Sequence, residues 1–137
     1  MMRHASLGSL TFERVSFGQI QHMIESIFPD SVIIKRDGDL FFRAAAPGRH
    51  AGFLHLGKRN GMWAIAGIGV VPELRGMGYG TEIIAFAIEI VRKMLGHSLA
   101  LSVDMGNADA IRIYSRMGFR KAGKGGKRTR MVLVLNS

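Results

Sequence analysis

Apolar and polar positions along the chain recur at periods that divide it into strands and helices. Residues 9–15, SLTFERV, alternate well enough for a first strand. Ile20, Met23, Ile24 and Ile27 then recur at helical spacing until FPDS stops that helix. DLFFRAA (39–45), a Pro-Gly turn and HAGFLHL (50–56) read as a hairpin, and GKRNG (57–61) as a second turn. MWAIAGIGVV (62–71) is nearly continuous in apolar residues, the pattern of a central strand buried on both faces.

A helix is expected from about Gly78 to Leu95, with Ile84, Ile88, Val91 and Leu95 on one face and Ile83, Ala87, Ile90 and Met94 widening it. Glu82, Glu89, Arg92 and Lys93 leave only a narrow wet stripe, so this helix should lie flat on a sheet. SLALSVD (98–104) is another buried strand. Asn107 can cap a short helix running through Tyr114 to Met117, and Gly118 ends it. FRKA (119–122) and TRMVLVL (129–135) close the chain as two strands. The order is strand, helix, three strands, helix, strand, helix, two strands. It predicts an α/β fold, a mixed sheet with helices packed against it.

The chemistry concentrates where the central strand meets the long helix, in LRGMGYG (74–80). Glycine is a poor helix residue, yet three of them open this helix. The first helical N–H groups have no partners within the helix and carry the positive end of its dipole, which makes a helix terminus an anion site. Gly76, Gly78 and Gly80 remove side chains where phosphate oxygens would touch backbone N–H, and Arg75 adds a fixed positive charge. The plainer alternative is a tight turn that needs glycine for its dihedral angles. A P-loop is excluded, because no Gly-Lys-Ser/Thr follows, and the dinucleotide fingerprint is excluded, because the spacing is G-x-G-x-G.

Composition narrows the setting. A length of 137 residues is read as one domain, 1–137, and 47% hydrophobic residues make it globular. There is no cysteine, hence no disulfide framework and no thiolate metal site. The N-terminal MMRHASLGSL has no signal-peptide core and no segment is apolar for long enough to span a membrane, so a cytoplasmic protein is expected. The net charge of +9 suits an anionic ligand, an acidic substrate or nucleic acid without choosing among them. RKAGKGGKRTR (120–130) carries six of the basic residues and reads as a solvated hairpin loop. The five histidines show no metal-ligand spacing, and no metal is expected. His55 is expected at the rim of a strand.

VVPELRGMGYG resembles the acyl-CoA motif V-x-P-x-x-R-x-x-G-x-G of the GNAT superfamily of N-acetyltransferases, through Val70, Pro72, Arg75, Gly78 and Gly80. A second motif of that family follows in LSVDMGNADAIRIYSRMGF, through Leu101, Val103, Asn107, Ala110, Tyr114, Gly118 and Phe119. The resemblance covers residues 62–120. It implies a mostly antiparallel central sheet flanked by helices in three layers, acetyl-CoA as cosubstrate, and transfer of its acetyl group to a primary amine of a small molecule or peptide. It also implies that backbone groups around Ile68, Val70 and Val71 bond the pantetheine arm, and that an N–H near Val70 or Val71 stabilises the oxyanion. The backbone N–H groups of Arg75, Gly76, Met77, Gly78, Tyr79, Gly80 and Thr81 would hold the pyrophosphate. Asn107 would bond the pantetheine arm from the far side, and Tyr114 would protonate the leaving thiolate.

From the residues alone, Tyr114 reads as a core aromatic with its hydroxyl at the surface, and Asn107 could be only a helix cap. Many relatives take the amine proton with a glutamate on the central strand, but MWAIAGIGVV has no carboxylate, and Ser102 stands where relatives that acetylate ribosomal-protein N-termini carry a glutamate. A water path to bulk solvent is the expected route. Nucleic acid and membrane are not expected as partners, and a homodimer is allowed. The rival reading is a non-catalytic module that senses acetyl-CoA, or binds nucleic acid through the basic C-terminal hairpin.

Overall fold

The computed structural model describes residues 3–4 and 9–135. Residues 1–2 and 5–8, which belong to the segment read as lacking a signal-peptide core, lie outside them, as do 136–137 and the side chains at 3, 4 and 124. The strands are β1 (Arg3–His4), β2 (Thr11–Val15), β3 (Leu40–Ala46), β4 (Arg49–Arg59), β5 (Met62–Val70), β6 (Ser98–Asp104), β7 (Arg120–Gly125) and β8 (Arg128–Val134). The helices are α1 (Phe17–Ile27), α2 (Tyr79–Lys93) and α3 (Ala108–Arg116), with a single 3-10 turn at Pro72–Leu74.

The strands form one sheet in the order β1-β2-β3-β4-β5-β6-β8-β7. All neighbours are antiparallel except β5 and β6, which are parallel. Strand alternation sends Val15, Phe41 and Phe53 to one face, where Ile20, Ile24 and Ile27 of α1 cover them. Phe12, Leu40, Phe42, Leu54 and Leu56 point to the other face and meet Ile83, Ile84, Phe86, Ala87 and Val91 of α2. Phe86 stacks on Phe12 with ring centroids 3.9 Å apart. Helices thus cover both faces of a mixed sheet, as the order of elements implies.

Local chemistry sets the element ends. Ser16 caps α1 through the Gln19 N–H while Gln19 reaches back to the Ser16 N–H, a reciprocal capping box. Glu82, expected only as part of a wet stripe, accepts hydrogen bonds from the Leu10 N–H (3.0 Å) and the Ser9 hydroxyl (3.1 Å), tying α2 to the start of β2.

Three boundaries differ from the sequence reading. GKRNG is not all turn: β4 runs through Arg59, and only Asn60 (φ 54) and Gly61 (φ 78) turn, the two left-handed residues of a tight hairpin. Helix α2 stops at Lys93, and Leu95, expected on its buried face, is 83% exposed. RKAGKGGKRTR is not a loop: its residues pair across β7 and β8, from Arg120 opposite Val132 to Gly125 opposite Arg128.

Candidate active site

The sheet parts between β5 and β6. The two strands are in register only at Trp63 opposite Leu99 and Ala64 opposite Ala100. The β4–β5 register then shifts between His55 and Leu56, so that Ala66 is the extra residue of a bulge. Beyond it β5 follows β4 and leaves β6. The Val71 N–H donates to the Ala51 C=O at 2.8 Å, toward β4. The two-residue period of a strand therefore turns the backbone groups of Val70 and Ile68 toward the parted edge. Ile68 and Val70 line the cavity at that edge, whereas the Val71 N–H is already bonded and Val71 lines a different hollow, beside α1.

A cavity of about 690 Å³ occupies this opening, lined by Ile68, Val70, Arg75, Gly76, Gly78, Tyr79, Gly80, Thr81, Asn107 and Tyr114. Gly76 (φ 81) and Gly78 (φ 82) are left-handed, so the turn itself asks for glycine there. Gly80 is different. Its φ is not positive, and a Cβ added to it would meet no protein atom within 4 Å. Neither conformation nor packing demands glycine at this position, which faces the cavity and replaces a better helix former.

The Glu82 N–H is the first in α2 to reach an intrahelical acceptor, the Gly78 C=O, so the N–H groups of Tyr79, Gly80 and Thr81 precede the ladder. At the start of the expected run of N–H groups, that of Arg75 closes the 3-10 turn onto Pro72. The Arg75 side chain is anchored as well, Nε donating to the Val70 C=O at 3.1 Å. Met77 is 57% exposed and does not line the cavity. Asn107 caps α3, its Oδ1 accepting from the Ala110 N–H at 3.1 Å, and it also lines the cavity.

Tyr114 projects from α3 between two cavities. The second, about 650 Å³, lies on the α1 side and shares Ile68, Ile84 and Tyr114 with the first. Burial raises the Tyr114 phenol above its ordinary value, so at neutral pH it holds its proton. On the wall of the second cavity stands a cluster that the sequence reading missed. His55 is 3% exposed, not a rim residue, and its Nε2 lies 2.7 Å from Asp39 Oδ2. Asp39 also accepts a two-pronged contact from Arg59, at 3.0 and 2.9 Å, and the Arg36 N–H at 3.0 Å. Burial opposes ionisation of Asp39, but the hydrogen bonds from Arg59, His55 and Arg36 outweigh it and hold the carboxyl well below the usual carboxylate range. Burial likewise pushes His55 below its ordinary value, against the pull of Asp39. Asp39 therefore fixes Nε2 as the donor and leaves Nδ1 as the basic nitrogen, on the side of Gly67.

A family model described as the acetyltransferase (GNAT) family matches residues 9–119. The chain is 35% identical over 97 residues to an uncharacterized N-acetyltransferase of Methanocaldococcus jannaschii, covering 65% of this chain and 42% of that protein. It is 31% identical over 128 residues to a mycothiol acetyltransferase of Acidothermus cellulolyticus, covering 88% of this chain and 38% of that protein. The chain thus spans about two fifths of the length of these relatives. In fold it is similar to an acetyltransferase of Elizabethkingia anophelis crystallised with acetyl-CoA bound, with a TM-score of 0.79 at 14% identity over 93% of this chain and 99% of that one.

Proposed function

The chain belongs to the acetyltransferase (GNAT) family, and on that premise we propose that it transfers an acetyl group from acetyl-CoA to a primary amine by direct attack in a ternary complex. The observation that carries this reading is the parted β5–β6 edge, with a bare helix terminus at one end and Tyr114 between the two cavities. Gly80 supports the fit of the cosubstrate, because its missing side chain serves no need of the protein itself. The N–H groups from Gly76 to Thr81 bind the pyrophosphate, and the β5 edge at Ile68 and Val70 pairs with the pantetheine amides.

The amine enters from the α1 side. Its nitrogen attacks the thioester carbonyl, a C–N bond forms, and the C–S bond breaks. The Ile68 N–H, on the β5 residue that both cavities share, faces the developing oxyanion. Tyr114 gives its proton to the departing thiolate. His55 receives the amine proton through the acceptor cavity. Among the described residues lining that cavity it is the one side chain other than the arginines and Tyr114 that titrates, the others being Arg36, Arg59, Arg128 and Tyr114.

Initial rates of CoA release with a panel of amino acids, peptides, polyamines and aminoglycosides test this reading. Tyr114→Phe should lower kcat by roughly ten- to a thousand-fold while thermal stability and acetyl-CoA affinity hold. An unchanged kcat would remove Tyr114 as the acid. A parallel loss of stability would make it a packing residue.

A further inference from the structure

The acceptor cavity has a one-sided chemistry. Phe28, Val32 and Ile34 are 38%, 85% and 67% exposed and all line it, so its outer wall is apolar and open. Its charged lining is entirely basic: Arg36, Arg59 and Arg128, with no carboxylate. Arg59 is neutralised by Asp39 behind the wall. Arg36 and Arg128 have no carboxylate partner among the described residues.

Arg128 is also held in place. Its Nε donates to Ser102 Oγ at 3.0 Å and its Nη2 to the Ser102 carbonyl at 2.7 Å. Ser102, the residue that stands where a glutamate would be expected, thus orients a cation instead of supplying an anion. A fixed guanidinium with donors to spare matches a planar carboxylate. The same wall disfavours polyamines and aminoglycosides, whose extra positive charges would face Arg36 and Arg128 with nothing to pair them.

We infer that the acceptor is an apolar α-amino acid, whose carboxylate pairs with Arg128 while its side chain lies against Phe28, Val32 and Ile34. This rests on the acyl-transfer reading above and names its substrate class. The amine that attacks is then attached next to the group that Arg128 holds.

The test compares kcat/KM for CoA release with phenylalanine, leucine and methionine against the amide of each, with spermidine as the cationic control. Wild type, Arg128→Gln and Arg128→Lys are assayed side by side. The wild type should prefer at least one amino acid over its amide by about ten-fold or more, the worth of one charge-assisted contact. Arg128→Gln should collapse that ratio, mainly through KM, and Arg128→Lys should keep part of it. Spermidine or the amides outperforming the amino acids, or a ratio that survives in Arg128→Gln, would overturn the inference while leaving acyl transfer intact. No CoA release with any amine would instead overturn acyl transfer itself, and the inference with it.

Discussion

Asp39 ties the wall of the α1-side cavity together, because the Arg36 N–H three residues before it and two side chains of β4, His55 and Arg59, converge on one carboxylate. Its effect on stability has a definite sign. A carboxyl held below its unfolded value stabilises the fold at neutral pH and loses that contribution progressively as the pH falls through the ordinary carboxylate range and below it. His55 is held below its unfolded value too, so the folded state prefers it neutral. Its contribution is full above about pH 6.5, the ordinary histidine value, and declines as the pH falls through the folded value. Thermal melts should therefore show wild type losing stability between pH 7 and 5 more steeply than His55→Gln. Rates should show an acid limb below pH 6.5 that His55→Gln removes together with most of the activity. Equal pH slopes in the two proteins would mean that His55 is not neutral by preference. Little of this was legible beforehand. Alternation along HAGFLHL gives the face His55 occupies, but not the depth of cover, and reading GKRNG as a turn hid Arg59 as a strand residue on that same face.

At the level of elements, the start of α2 was readable and its end was not. Its beginning is written in glycines whose φ values only glycine takes comfortably, and the helical run behind them is long. The end depends on tertiary space. Gly96 suggests a helix stop, but a Cβ there would lie 2.4 Å from Val91 Cγ1 and 2.9 Å from Trp63, so glycine is required for close packing. The left-handed turn falls instead on Leu95, at φ 59 and 83% exposed. A leucine there carries backbone strain and buries almost nothing. Leu95→Gly should thus raise the unfolding free energy, by about 0.5–1 kcal/mol once the freer unfolded chain is allowed for. Chemical denaturation would check it, and a loss of stability would show that the exposed side chain makes contacts that matter.

Across the whole molecule, the sequence showed a mixed sheet and two motifs set on either side of the β5–β6 opening, but it overstated the cover of β5, which is mostly half-buried with Ala66 exposed beside that opening. It did not show that those strands pair at only two positions before parting, since the parting arises from the Ala66 bulge and the long-range β4–β5 register. It also misread RKAGKGGKRTR, because glycines and charges resemble a loop. There β7 is the outer strand of the sheet, and basic side chains are a common way to keep such an edge from pairing with another chain. The central claim is that the bare terminus of α2 binds the cosubstrate, and calorimetric titration of CoA into wild type and Gly80→Val tests it most directly. Glycine and valine differ by only a few tenths of a kcal/mol in helix propensity, and no protein atom stands within 4 Å of the added Cβ, so the variant should fold and melt as the wild type does. Its CoA affinity should fall by about ten-fold or more, as for one charged-group hydrogen bond lost. Equal affinity in the folded variant, or no binding of CoA by the wild type, would contradict the account.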